Sequence, residues 1–275
     1  MKVAVIGGGP AGCAAGYTLR KLGHEVKLLE AADHVGGRTK QLRRDGFNLA
    51  TGALFLMGGL YPRTTALIKE MGREGEIIPW GGKTWLARGE ERYPVRFVKL
   101  ASYLRLPLLG FGDRVRLVSE GLKILLRQGP SNAFDGAQLA AYDTGENLEA
   151  WSRQHLGEAS YEYIVRPIME FLYAVPMRDL STPFPLAIIK HALSMELSVP
   201  REGIGAVSEW LAQDLAVELG TRAQRIDSLG GGYRVSAGGK SYDADGLVLA
   251  TEAFTAADLL QGLASDAVIK PLRDI

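Results

Sequence analysis

The apolar positions of this chain fall first into a short continuous run, then into helical spacing, then into a second short run. Lys2 to Ile6 is apolar after its first residue and ends in a cluster of glycines. Pro10 to Leu22 carries small and apolar residues at helical spacing, and Val26 to Glu30 is a second run closed by an acid. Short apolar runs bounded by turn residues predict buried strands, and the 3.6-residue period between them predicts a helix. The chain therefore opens on a βαβ unit. Tyr61 to Met71 reads as a helix ended by Gly72. Ile77 to Arg92 alternates among glycines and predicts short strands with a turn at Gly89-Glu90-Glu91. From Tyr93-Pro94-Val95 onward the spacing is helical, broken at Pro107, Gly110 and Pro130, and it is helical again from Leu139 to Ala174. Val207 to Leu219 predicts a helix, and Tyr233–Val235 with Lys240–Tyr242 a hairpin around Gly238-Gly239.

The glycines of the first turn change this picture most. They fall as Gly7-x-Gly9-x-x-Gly12 where strand hands over to helix. Gly7 permits a tight turn that a Cβ would resist, Gly9 lets a pyrophosphate approach the backbone, and Gly12 lets the helix lie close to the strands. The free N–H groups and positive dipole end of the helix then face the diphosphate. Pro10 near the helix start costs little, because its missing N–H would have had no helical partner. Glu30 follows Gly12 by 18 residues, close to the spacing of the acid that accepts from a ribose hydroxyl. A carboxylate there repels a 2′-phosphate, which disfavours NADP.

A second glycine pair, Gly36-Gly37, lies on the loop leaving the second strand, followed by Arg38 and Thr39. A guanidinium suits a diphosphate better than an ammonium does. GGGPAG, an acid ending the second strand, and GGRT together resemble the FAD-binding start of the flavin-dependent amine oxidase superfamily, which includes amine oxidases, protoporphyrinogen oxidases and related desaturases. Gly46 to Phe55 resembles the family's G-F-x-x-D-x-G segment, with Ala50 where many members carry Asp. Arg166 to Ser181 resembles a run of protoporphyrinogen-oxidase-like members. Pro200 to Gly205 resembles the return to the FAD domain. Thr221 to Ile226 matches the strand whose backbone contacts adenine, and Asp245 to Thr251 the strand that closes this part of the sheet.

The resemblance implies FAD as cofactor, contacted by Gly7, Gly8, Gly9, Pro10, Ala11, Gly12, Glu30, Ala31, Gly37, Arg38, Gly52, Ala53, Leu54 and Ala223. It implies an α/β fold: a discontinuous Rossmann-like FAD-binding domain carrying an inserted, mostly helical α+β substrate domain. The expected bounds are 1–76 and 201–256 for the FAD-binding parts and 77–200 for the substrate domain. Residues 257–275 are expected to open a second, incomplete substrate-domain segment. A third FAD segment with a Gly-Asp pair, and the lysine near the flavin N5, have no counterpart before Ile275, so a chain truncated at its C-terminus is expected. No residue is singled out as catalytic.

Composition narrows the function classes further. Net charge is +1 over 275 residues, giving no general reason to expect a nucleic-acid partner. Cys13 is the one cysteine, so no intrachain disulfide is expected, a reducing compartment is favoured, and a packing role suits its place on the first helix. There is no zinc-like Cys/His spacing, no second dinucleotide fingerprint and no C-x-x-C; no metal, separate NAD(P)H domain or disulfide-reductase chemistry is expected. Residues 96–128 carry seven basic residues (Arg96, Lys99, Arg105, Arg114, Arg116, Lys123, Arg127) against Asp113 and Glu120. The solvated face of amphipathic helices is the favoured reading, with peripheral membrane contact as the alternative. Trp151, Tyr161, Tyr163 and Tyr173 are read as core in preference to the wall of a flat-substrate pocket.

The expected function is a cytoplasmic, peripherally membrane-associated at most, FAD-dependent oxidoreductase acting on a small-molecule substrate. Hydride would pass from an amine or a lipophilic, porphyrinogen-type substrate to flavin N5, with oxygen or another acceptor reoxidising the flavin. The alternatives are a non-redox flavoprotein such as a sugar-ring mutase, and an inactive remnant that binds only the adenosine half.

Overall fold

The computed structural model describes residues 1–81, 84–96, 99–126, 134–191 and 195–275. Arg127 of the basic stretch, the Gly82-Lys83 pair and the expected break at Pro130 lie outside the described residues. The chain divides into two compact units. The first contains Met1–Leu56, Arg63–Ile78 and Ser198–Ile275; the second contains Met57–Pro62 and Pro79–Leu197.

The first unit is built on a parallel sheet. β1 (Lys2–Ile6) is buried on both faces beyond Lys2, which is why its sequence reads as a continuous apolar run. α1 (Pro10–Lys21) crosses to β2 (Glu25–Leu29), and β2 pairs with β1 in parallel from Lys2 opposite Glu25 to Ile6 opposite Leu29. Strand Gly246–Leu249 pairs with the other edge of β1, and Ala216–Glu218 with the outer edge of β2, both parallel. One face of this sheet packs Val5, Cys13, Leu28, Val207 and Leu211. The other packs Ala4, Ile6 and Leu29 against Ile226, Val235 and Ala237 of an antiparallel three-stranded sheet. That small sheet includes the expected hairpin, Gly232–Ala237 with Lys240–Ala244. The doubly covered parallel sheet is the α/β, Rossmann-like architecture expected from the βαβ opening.

α1 lies close to the sheet because its inner face is small. A Cβ on Gly12 would stand 1.8 Å from the Gly7 carbonyl oxygen, and one on Gly16 2.7 Å from the Leu215 side chain. β3 (Gln41–Arg44) and β4 (Phe47–Ala50) form a hairpin around Asp45 and Gly46, which both take positive φ. Gln41 fastens this hairpin to the loop after Pro200: its Nε2 donates to the Glu202 carbonyl at 2.8 Å, and its Oε1 accepts from the Gly205 N–H at 3.2 Å.

The expected helix Val207–Leu219 is corrected. It runs only over Ala206–Ala212, and Ala216–Glu218 is a sheet strand instead. The spacing of Leu211, Leu215 and Leu219 imitates a helical face, but pairing with β2 captures the second half of the segment. The segment 257–275 lies in the first unit, where Leu259 joins the core and Arg273 pairs with Asp258.

The second unit combines an antiparallel hairpin, Thr84–Arg88 with Glu91–Val95, and a group of helices. The main helices are Phe111–Leu126, Leu148–Leu156, Arg166–Tyr173 and Pro183–His191. Two continuous helical readings are broken. Tyr93–Val95 belongs to the hairpin, not to a helical stretch. The Leu139–Ala174 stretch is interrupted by a loop before Asn147, which caps the Ala150 N–H, and by Gly157 at φ +87°. Trp151 and Tyr161 are buried with Leu117, Ile164, Met177 and Leu186, so they are core side chains.

Candidate functional site

Because the four strands are parallel, their carboxyl ends meet at one end of the sheet. A cleft of about 620 Å³ opens there, the crevice position where open α/β sheets bind ligands. Gly7, Gly9, Pro10, Ala11, Glu30, Ala31, Gly37, Arg38 and Ala223 of the expected residues line it.

Each glycine of the first turn has a distinct job. Gly7 takes φ +105°, and a Cβ there would stand 2.6 Å from the Ala250 carbonyl oxygen. Gly9 is extended at φ −69°, and a Cβ on it would meet nothing within 4 Å, so its bare face looks into open space. Gly12 and Gly8 do not line the cleft. Gly12 packs against Gly7, and the Gly8 N–H donates to Glu30 Oε2 at 2.5 Å. The other Glu30 oxygen accepts from the Ala32 N–H at 2.7 Å. Glu30 thus ties the first turn to the end of β2 while it borders the cleft, and each of its oxygens retains a lone pair for a further donor.

Behind this turn Cys13 is fully buried and donates to the Gly8 carbonyl oxygen at 3.2 Å. Burial, reinforced by the Glu30 charge, pushes its thiol up to about 12 from an ordinary 9.0. A thiol held neutral in this way is a packing group and not a nucleophile.

The GGRT loop folds onto the first turn. The Gly36 N–H donates to the Gly8 carbonyl at 2.8 Å, and Gly37 passes so close to Gly9 that a Cβ would stand 3.1 Å from its Cα. Thr39 Oγ1 closes the loop on the Gly36 carbonyl at 2.8 Å. Arg38, exposed at the cleft, has no acidic partner among the described residues. Gly52, Ala53 and Leu54 do not line this cleft. Gly52 backs onto the Arg38 carbonyl, which accepts from the Ala53 N–H at 2.9 Å, and Leu54 is exposed. Their place is behind the arginine loop.

The far wall comes from the return of the chain. Thr221 donates its N–H to the Glu30 carbonyl at 2.7 Å, which carries Arg222 and Ala223 to the cleft. A bulge between Ala223 and Arg225 shifts the register of the small sheet at that point. Arg222, Thr251, Glu252 and Thr255 line the cleft and were not among the expected residues. The strand that Arg222 precedes, Ala223–Leu229, was legible, but no local spacing marks the arginine side chain. The cleft therefore offers two cations, the start of α1 and one carboxylate on each side, a set suited to a diphosphate flanked by hydroxyl groups.

A family model described as flavin containing amine oxidoreductase matches residues 10–274. The chain belongs to this family. A 4,4'-diapophytoene desaturase of Staphylococcus aureus (strain MRSA252) is 45% identical over 62 residues, which is 22% of this chain and 12% of that protein. Cyclohexylamine oxidase from Brevibacterium oxydans IH-35A superposes with a TM-score of 0.74 at 19% identity, over 99% of this chain and 62% of that one. An oxidoreductase from Methanosarcina mazei superposes with a TM-score of 0.71 at 19% identity, over 100% of this chain and 64% of that one. These two likenesses establish a shared fold, and this flavin-family chain spans under two thirds of either length.

Proposed function

We propose that this member of the flavin-containing amine oxidoreductase family is an FAD-dependent oxidoreductase whose first-unit cleft holds the adenosine diphosphate part of FAD. The observation that carries the reading is the open face of Gly9 at the start of α1, in one cleft with Arg38 and Arg222, neither of which has an acidic partner among the described residues. The α1 terminus and the two guanidiniums would take the diphosphate, and Glu30 a ribose hydroxyl. Ala223 would border the adenine. Gly52, Ala53 and Leu54 would lie toward the flavin end, past the Arg38 loop that they support. FAD held by these residues would supply a hydride acceptor for an organic substrate, with oxygen or another acceptor as the final oxidant. The chain's own residues supply binding and orientation.

Two substrate classes fit the relatives, one named for cyclohexylamine and one for diapophytoene. Amine or lipophilic substrates are therefore the proposed range. The test is reconstitution: purified protein mixed with FAD should emerge from gel filtration as a yellow complex with bound flavin. A protein that emerges colourless would overturn the reading.

A peripheral contact with an anionic lipid surface is supported by helix Phe111–Leu126. Leu117, Gly121 and Ile124 are its buried face. Phe111, Val115, Val118, Leu122 and Leu126 form a second apolar stripe that is exposed, with Phe111 at 81% and Leu126 at 70%. Arg116 and Lys123 are exposed on one flank of that stripe, Lys123 in an exposed ion pair with Glu120 at 2.6 Å that contributes little and that an anionic headgroup can replace. Among the described residues no helix is long and apolar enough to cross a membrane.

A further inference from the structure

The second unit contains a cleft of its own, of about 1300 Å³, whose lining joins aromatic and cationic side chains. Trp80 and Trp85 stand on it, 40% and 53% exposed. Two indoles left half-open on one cleft are a platform for a flat apolar body. Arg96, Lys99 and Arg105 line the same cleft, and among the described residues no acidic one does. None of the three has an ion-pair partner among the described residues.

The backbone holds these cations together. The Lys99 N–H donates to the Arg96 carbonyl and the Ser102 N–H to the Lys99 carbonyl, both at 2.9 Å. Ser102 Oγ accepts from the Arg96 N–H at 2.9 Å and donates to the Lys99 carbonyl at 2.7 Å. Arg105 follows Ser102 by one further turn. Arg96, Lys99 and Arg105 all line the one cleft, so their three charges face the same space. Holding like charges together without a counter-ion is unfavourable, and an anionic ligand removes that cost while gaining forked hydrogen bonds from Arg96 and Arg105.

We propose that this cleft binds an organic anion with a flat apolar body, of the aromatic carboxylate class. The indoles of Trp80 and Trp85 hold the ring system, and Arg96, Lys99 and Arg105 hold the carboxylate. The same lining repels a protonated amine. The proposal stands apart from the flavin reading, because it uses neither the first-unit cleft nor turnover.

Isothermal titration calorimetry of the full chain with three probes of one ring system tests it. The probes are 1-naphthaleneacetate, 1-naphthaleneethanol and 1-naphthylmethylammonium. The acetate should bind about tenfold tighter than the alcohol, as expected for charge-assisted hydrogen bonds, and the ammonium weakest of the three. Arg96→Gln with Arg105→Gln should abolish the advantage of the acetate, with an unchanged unfolding midpoint. Trp85→Ala should weaken acetate and alcohol alike. Saturating ADP should leave acetate binding intact. Equal affinity for acetate and alcohol, retention of the acetate's advantage in the double variant, or displacement by ADP would each overturn the proposal.

Discussion

At the scale of single residues, Gly9 and Gly12 show how one motif mixes binding with folding. Gly9 has an ordinary backbone angle and open space beside it, so Gly9→Ala should leave stability unchanged or raise it by about 0.5 kcal/mol. The added methyl would occupy the approach to the diphosphate and should weaken FAD binding about tenfold or more. Gly12→Ala drives a Cβ into the Gly7 carbonyl and should cost about 2 kcal/mol or more of stability. Urea denaturation and FAD titration of both variants check the pair; a stable Gly12→Ala would contradict the packing assignment. Cys13 yields a pH prediction. Its folded pKa stands near 12, above the ordinary 9.0, so the unfolded chain releases the proton first as pH rises. Between those values the folded state binds more protons, and stability falls. Cys13→Ala should lose less stability than the parent between pH 8.5 and 11 in matched denaturation curves. The Gly7, Gly9 and Glu30 positions were legible because the motif is local. Arg222, Glu252 and Thr255 were not, since they reach the cleft only through strand order and sheet closure.

At the scale of elements, legibility followed how much of each element's identity is local. β1 is a continuous apolar run because both of its faces are covered, and β2 buries Val26, Leu28 and Leu29 around a Lys27 paired with Glu218; both read correctly. Ala216–Glu218 did not, because its apolar spacing suits a helix and only the edge of β2 makes it a strand. The sequence of Phe111–Leu126 showed amphipathic spacing, but only the fold separates its buried stripe from its exposed one. The exposed stripe carries the membrane prediction. Phe111→Ser with Leu122→Ser should leave the unfolding midpoint within about 2 °C, since surface changes cost little. The same variant should lose most of its co-sedimentation with vesicles containing phosphatidylserine, while the parent binds them and binds neutral vesicles poorly. Equal sedimentation of parent and variant would remove the lipid reading. A parent that elutes as a dimer until these residues are changed would assign the stripe to a second copy of the chain.

At the scale of the whole molecule, the first unit gathers its cleft from four separated stretches of sequence. The first turn, the end of β2 with the GGRT loop, the return near Thr221 and the turn after Leu249 all arrive at the carboxyl ends of one parallel sheet. The sequence indicated a discontinuous domain through family resemblance, with expected bounds at 76 and 200. The first unit breaks after Ile78 and resumes at Ser198, and it also releases residues 57–62 to the second. Those six residues leave and re-enter without any composition change, so nothing in the pattern marks them. The central claim is that this cleft binds FAD through its adenosine diphosphate. The most direct measurement is a calorimetric titration of the purified chain with FAD, paired with Glu30→Ala. The account predicts saturable binding by the parent and a loss of about ten- to a hundredfold in the variant, from the charged acceptor removed. FAD binding of equal strength in parent and variant, or no binding by the parent, would contradict it.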